Sequence, residues 1–396
     1  MPELSEQPVE YTSVTKTVDE VGVIHMAGPD VTEADIEYVL DALRNGWYGN
    51  DAYRYVERFE RDFADYHGRA YALMTPNCTS AIHLVLEGLG VKPGDDVLVP
   101  ESTWVGSSAG IRHAGAREVF IDVEESTWCS SARTLEAART ERTRAAIVVD
   151  LYGNMPDWNK IEEWSATHSI PVIEDAAESL GGVFDGRRAG KFGIASVFSF
   201  HRTKTLTTGE GGAFVTNDAE LFDRVLTLSN HGRARGQTKQ FWPEAIGFKF
   251  KMSNVQAAIG CAQLERIDEL VARKRAIMQG YRERLINIDG LSLNPEPNGT
   301  INGGWMPTIM FSKSTGVTRD MLLDAFRREE IDARVFFWPL SGLPVFEGTA
   351  STPVAHSIPD RSINLPSFHD MTVEQLDSVT DVVKRISERG NDCVEF

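Results

Sequence analysis

The sequence predicts an α/β architecture: a large, mainly parallel sheet sandwiched by helices, then a small C-terminal α+β unit. Three observations predict it. Between residues 70 and 200, short and nearly unbroken apolar runs alternate with segments of helical period. That is the pattern of parallel strands covered on both faces. A long helical stretch follows, and after residue 285 the texture turns to Gly, Asn and Pro before strand and helix patterns recur in similar number. A chain of 396 residues exceeds one simple core, so two domains are expected. Their bounds are 22–285 and 286–396, behind a polar arm over residues 1–21.

The elements follow in order. Thr32 is an N-cap, and Ile36, Val39, Leu40 and Leu43 recur at three- and four-residue spacing, which predicts a helix. A second amphipathic helix covers 54–67. "AYALM" (70–74) reads as a strand, 79–89 as a helix and "VKPGDD" (91–96) as a turn. The strands "DVLVP" (96–100), "EVFIDV" (118–123), "AAIVVDLYG" (145–153), "IPVIED" (170–175) and "ASVFSF" (195–200) come next. One long helix is expected over 253–285. "INIDGLSLNPEPNGTINGG" then leads into a unit holding "WMPTIMF", a helix at 318–330, "IDARVFF" and a last helix that Thr372 and Gln375 open as a capping box.

Composition narrows the function. With 42% hydrophobic and 25% charged residues this is an ordinary soluble globular chain. The net charge of −18 leaves no basic excess to neutralise a phosphate backbone, which argues against nucleic-acid binding as the main task. It leaves room for a local cationic pocket. Cys78, Cys129, Cys261 and Cys393 are scattered, without Cys-x-x-Cys or metal-ligand spacing. A reduced, intracellular compartment fits that usage. The acidic N-terminal stretch has no apolar signal region, and no run reaches the roughly 18–20 apolar residues of a membrane span, so a cytoplasmic protein is expected.

Open α/β sheets bind ligands at their strand carboxyl ends, and the chemically suggestive residues collect there. Glu174, Asp175 and Glu178 follow an apolar strand, where an acid is otherwise a helix cap. Asn77, Thr79 and Ser80 stand where a strand meets a helix; hydroxyls and free N–H groups there hold an anion, and also serve as caps. In "SFHRTKTLTTGEGGAFVT" the isolated Lys204 stands between two strand-like runs. A lysine, a carboxylate and an anion-binding helix start together suit pyridoxal 5′-phosphate: imine formation, a proton on the ring nitrogen and a held phosphate.

These stretches resemble the DegT/DnrJ/EryC1/StrS sugar aminotransferases, which are fold-type I enzymes dependent on pyridoxal phosphate. The resemblance spans about residues 22–390, through "NGWYGN", "NCTSAIHL", "VVDLYGNMPD", "PVIEDAAESLGG", "FSFHRTKTLTTGEGGAFVTND", "SNHGR" and "KMSNVQAAIGCAQLERI". "EDAAES", "KTLTTGEGG" and "KMSNVQAAIG" look most like the perosamine-synthase branch.

The resemblance implies a transaminase that moves an amino group, from glutamate as the expected donor, to a keto group of a nucleotide-linked deoxysugar or a related keto-cyclitol. The course is ping-pong, with pyridoxamine 5′-phosphate formed during turnover. It implies Lys204 as the Schiff-base lysine and Asp175 as the partner of the ring nitrogen. Trp104 matches the aromatic on the cofactor ring, Thr79, Ser80 and Ser199 match phosphate contacts, and Glu178 takes a place more often filled by Gln or His. Asn254 matches an asparagine that reaches the phosphate of the partner subunit, which makes the active unit a homodimer with shared sites. Cys78 adjoins these cofactor contacts; a helix start lowers a thiol pKa, but the neighbouring hydroxyls carry the binding.

On the substrate side stand Trp47 and Tyr48 of "NGWYGN", with His201 as pocket wall. Lys249 and Lys251 depart from the Asn and Arg common there, and face either a substrate diphosphate or solvent. The alternative reading is a non-transaminating member of the same scaffold, a sugar dehydratase or a regulator. Lys204 stands against the dehydratase, which carries histidine in its place.

Overall fold

The computed structural model describes residues 22–346 and 350–392. The expected arm over 1–21 and Cys393 lie outside the described residues.

Seven strands form the main sheet: β1 (Tyr71–Thr75), β2 (Asp96–Pro100), β3 (Arg117–Ile121), β4 (Thr143–Val149), β5 (Val172–Asp175), β6 (Ala195–Ser199) and β7 (Gly212–Thr216). Their order is β1-β7-β6-β5-β4-β2-β3. Only β7 runs antiparallel to its neighbours, and the pairs from β6 to β3 are parallel. Side-chain alternation explains the unbroken apolar runs. Val97, Val99, Ala145, Ile147 and Val149 belong to one hydrophobic core, and Leu98, Ala146 and Val148 to the other. Both faces are covered, so both residue parities are apolar. Each buried Val, Ile or Leu contributes about 1.5–3 kcal/mol.

Among the helices around the sheet are α1 (Glu33–Asn45), α2 (Arg54–His67), α3 (Cys78–Gly88), α4 (Asn254–Glu265) and α5 (Ile267–Leu285). Thr32 caps α1 in a capping box with Asp35, as expected. The apolar row of α1 faces outward, however: Ile36, Leu40 and Leu43 are exposed, while Asp35 and Ala42 are buried where α1 packs on α4.

The single long helix expected over 253–285 is two helices, a correction with a clear cause. Arg266 leaves helical geometry at φ −114°, ψ 24°. Its buried guanidinium is held 2.5 Å from Asp30, just before α1, and 3.8 Å from Asp35 in the first turn of α1. A buried charge needs such partners, and meeting them turns the chain between α4 and α5.

Leu291–Leu293, Thr308–Phe311, Ser362–Asn364 and Arg334–Val335 form a four-stranded antiparallel sheet in that order. Its core includes Ile309, Phe311, Phe326, Ile363 and Val383, joined by Ile277, Tyr281 and Leu285 of α5. The end of α5 therefore belongs to the second core, although it precedes residue 286. Thr372 and Gln375 form the expected capping box, with N–H to side-chain bonds of 2.8 and 3.2 Å. Among the described residues no helix is long and apolar enough to cross a membrane.

Candidate active site

The carboxyl ends of β5 and β6 and the start of α3 converge on a cavity of about 380 Å³. Asn77 caps α3, its Oδ1 accepting from the Ser80 N–H at 2.8 Å. The N–H groups of the first turn have no partner within a helix, so those of Cys78 and Thr79 stand at the positive end of α3. Gly212 of β7 lets the sheet approach that end. A β-carbon there would lie 2.5 Å from the Asn77 carbonyl carbon and the Cys78 nitrogen. Only glycine permits that contact.

Asp175 ends β5 and is buried. Its Oδ2 accepts from Ser107 Oγ at 2.7 Å and its Oδ1 from the Ala177 N–H at 3.1 Å. Burial raises its pKa, which those two bonds and the Lys204 charge oppose. Glu178 is held by the Tyr152 N–H at 2.8 Å, and burial raises it as well.

Lys204 occupies the loop between β6 and β7. Its Nζ lies 3.5 Å from Glu178 Oε1 and 3.5 Å from the centre of the Trp305 ring. Burial lowers its pKa, against the pull of Glu178 and Asp175. Trp305 is fixed in turn by donating Nε1–H to the Thr203 carbonyl at 2.7 Å. A lysine tuned downward this way holds a reactive neutral amine more of the time.

Cys78, Thr79, Trp104, Asp175, Glu178, Ser199, His201 and Lys204 all line this cavity, as the sequence led us to expect. The Trp104 ring is 62% exposed and stands at the mouth. Ser80 lies one residue behind the lining, buried, its N–H taken by Asn77. The suggestion of a lowered thiol pKa at Cys78 is overturned. Burial and then the nearby Asp175 charge push that thiol well up.

Trp47, Tyr48, Lys249, Lys251 and Asn254 do not line the cavity of their own chain. Trp47 and Tyr48 are exposed, and Lys251 Nζ stands 4.4 Å from the Tyr53 ring centre. Asn254 does not cap α4. Ser253 does, in a capping box with Gln256. Asn254 Oδ1 instead accepts from the Tyr55 N–H at 3.0 Å, and its Nδ2 donates to the Gly46 carbonyl at 3.4 Å.

Sequence reasoning missed, among other residues of the cavity wall, Ser107, Trp305 and Arg334. Ser107 carried a usable signal, a hydroxyl at the next helix start in "TWVGSSAG". Trp305 and Arg334 come from the second unit and carry none.

The residues present fit pyridoxal phosphate: a buried carboxylate for the ring nitrogen, an amine and an anion-binding helix start share one cavity. A family model described as the DegT/DnrJ/EryC1/StrS aminotransferase family matches residues 29–384. The GDP-perosamine synthase of Escherichia coli O157:H7 is 36% identical over 349 residues, covering 88% of this chain and 94% of its own. A putative sugar aminotransferase of Streptococcus pneumoniae, solved in its PLP form, superposes with a TM-score of 0.85 at 25% identity, covering 93% of this chain and 99% of its own. DesI, solved in the presence of its TDP-sugar product, gives 0.85 at 27% identity and covers 96% of each chain.

Proposed function

Because the chain belongs to the DegT/DnrJ/EryC1/StrS aminotransferase family, of fold type I and dependent on pyridoxal phosphate, we propose that it aminates the keto group of a nucleotide-linked deoxysugar, with glutamate as donor. The observation that carries this is the placement of Lys204 Nζ 3.5 Å from Glu178, in the cavity that also holds buried Asp175 and the start of α3. The relatives that act on GDP- and TDP-linked sugars support a nucleotide-linked acceptor over a free cyclitol.

When bound, the cofactor supplies an electron sink and carries nitrogen between the two half-reactions. The chain's own residues do the rest. Lys204 would present its amine to the cofactor carbonyl and, as a free amine, would carry the proton between the nitrogen-bearing carbon of the substrate and the cofactor's carbonyl carbon. Asp175, fixed by Ser107 and the Ala177 N–H, would keep a proton on the cofactor's ring nitrogen by a charge-assisted hydrogen bond. Thr79, Ser199 and the first N–H groups of α3 would hold the phosphate, with Ser80 behind them fixing the Asn77 cap. Glu178 balances the Lys204 charge. Trp104, at the mouth, would cover the cofactor ring.

Asn254, with Trp47, Tyr48, Lys249 and Lys251, serves the partner's cavity in a homodimer. Two observations support this: these residues stand outside the cavity of their own chain, and the α1 row Ile36, Leu40, Leu43 lies exposed beside them. A patch of that kind marks an interface. An amino-acid donor and a nucleotide-linked acceptor suit the cytoplasm, which we take as the enzyme's compartment.

Absorbance spectra with and without L-glutamate test the amino transfer. A spectrum that no amino donor changes would refute it. A screen of nucleotide-linked keto sugars against free keto-cyclitols tests the acceptor, and turnover of the cyclitols alone would overturn that part.

A further inference from the structure

Glu101 follows β2 directly, is fully buried, and has no task in the reaction as assigned. A buried charge has to find partners. Among the described residues, the partners of this carboxyl come from the second unit. Its Oε1 accepts from the Ser341 N–H at 2.8 Å and from Ser341 Oγ at 2.5 Å. His356 Nε2 stands 3.5 Å from the same oxygen and 3.4 Å from Ser341 Oγ. Oε2 is buried with no hydrogen-bond partner among the described residues. The main chain repeats the link. The Leu340 N–H donates to the Glu101 carbonyl at 3.1 Å, and the Glu101 N–H donates to the Ile121 carbonyl at 2.9 Å, which ties Glu101 to β3.

These contacts fix one end of a short stretch of cavity wall. Phe337 lines the cavity, and its N–H donates to the Tyr152 hydroxyl at 3.0 Å. Ser341, a few residues on, meets Glu101. The stretch between them is thus held at both ends by residues of the first unit. The Phe337 ring centre lies 6.0 Å from that of Trp104, which stands at the mouth. Glu101 sits just ahead of Trp104 in "ESTW". One carboxylate therefore touches the supports of both aromatic walls: Trp104 through its own chain, and Phe337 through Ser341.

We propose that Glu101 is a positioning residue: by holding Ser341 it keeps Phe337 against Trp104 and so sets how far the mouth of the cavity stands open. The inference rests on the reading of this cavity as the aminotransferase site. Glu101 does not itself line the cavity, so it acts through the two aromatics. An acid that only tied the two units together would move stability alone. One that positions the wall also moves access to the cofactor.

The test uses the holoenzyme with Glu101→Ala, Glu101→Gln and Ser341→Ala. Three quantities are measured: hydrogen exchange of the amides of residues 337–343, the rate at which hydroxylamine attacks the bound cofactor, and cofactor conversion by L-glutamate, followed by absorbance. In Glu101→Ala, exchange at Ser341 should be about 10-fold faster or more, since its charged acceptor is gone. Hydroxylamine should react about 10-fold faster through the loosened mouth. The half-saturating L-glutamate concentration should rise several-fold, with the maximal conversion rate held within about twofold. Glu101→Gln, whose amide oxygen can still accept both Ser341 bonds, should stay near the wild type, and Ser341→Ala should fall between. Unchanged exchange in Glu101→Ala overturns the proposal. So does faster exchange with the hydroxylamine rate unchanged, which reduces Glu101 to a tie between the units. If L-glutamate leaves the wild-type cofactor unconverted, the aminotransferase reading fails, while exchange and the hydroxylamine rate still decide what Glu101 does. Thermal melts check folding, and Ser341→Ala, which keeps the carboxylate and its backbone partner, carries the test if Glu101→Ala misfolds.

Discussion

Lys204 reaches into the cavity from a loop and holds little of the core together, so its removal should separate chemistry from folding. Lys204→Ala should lose at least about four orders of magnitude in turnover, because the covalent route is gone. Its melting temperature without cofactor should stay within a few degrees of the wild type. Borohydride treatment of the wild-type holoenzyme should label the peptide containing Lys204. A label on another lysine would refute the assignment. Asp175 makes a different prediction. With Ser107 and the Ala177 N–H holding the side chain in place, Asp175→Asn should keep its shape and retain cofactor. Turnover should fall by about 10²-fold or more, since an amide cannot balance a ring cation. Near-normal turnover would reduce Asp175 to a structural residue. Both residues were legible in the sequence because each sits at a strand end or a loop with a local signal. Ser107 and Trp305 act on these same two side chains from segments far along the chain, where only the folded arrangement makes them neighbours.

At the level of elements, period reveals a helix but not which face it buries. Ile36, Leu40 and Leu43 announced α1 correctly, yet the face packed on α4 carries Asp35, which accepts from Gln263 Nε2 at 2.8 Å. The break at Arg266 was equally hidden, because its cause is a pair of acids more than 200 residues earlier. The ends of β4 and β5 hold a further buried pair. Burial raises the pKa of both Asp150 and Glu174, with the Glu174 charge next in raising Asp150. Groups raised in this way favour the protonated folded state. Their stability contribution is therefore complete below the ordinary carboxylate range near about 4, and is lost as pH rises through the folded values. Asp150→Asn removes one ionisable partner and keeps the shape. Its amide can still bond the Ser179 hydroxyl, which now sits 2.8 Å from Asp150 Oδ2 and can rotate to accept. The variant should melt at a temperature less dependent on pH between 5 and 8 than the wild type does, with the advantage at pH 8. Parallel curves for the two proteins would show that no proton is shared there.

For the whole molecule, the order of strands and helices was readable because each buried strand is a short apolar run and each turn has its own chemistry. How the two units interlock was not: α5 gives Ile267 and Val271 to a core of the large sheet and Ile277, Tyr281 and Leu285 to the core of the second unit, and Ile24 at the start of the described chain bridges to Ile331 in the second unit. Assembly lies a level further out. Asn254 bonds the Tyr55 N–H and Gly46 carbonyl of its own chain while standing outside its own cavity, and Ser253 already supplies the cap of α4. A polar side chain so placed is explained if this surface completes a neighbour's site. Co-expression of Lys204→Ala with Asn254→Ala separates the cases. If sites are shared, a mixed dimer has one site with both lesions and one with neither. Random pairing then restores about one intact site in four, so activity at limiting cofactor should recover to about a quarter of the wild-type value, above either variant expressed alone. If each chain completes its own site, every site in the mixture carries a lesion, and activity cannot exceed that of the Asn254→Ala enzyme diluted by its inactive partner. Sedimentation at the assay concentration gives the second reading: a monomer with full activity would end the shared-site assignment of Asn254, and with it the places given to Trp47, Tyr48, Lys249 and Lys251.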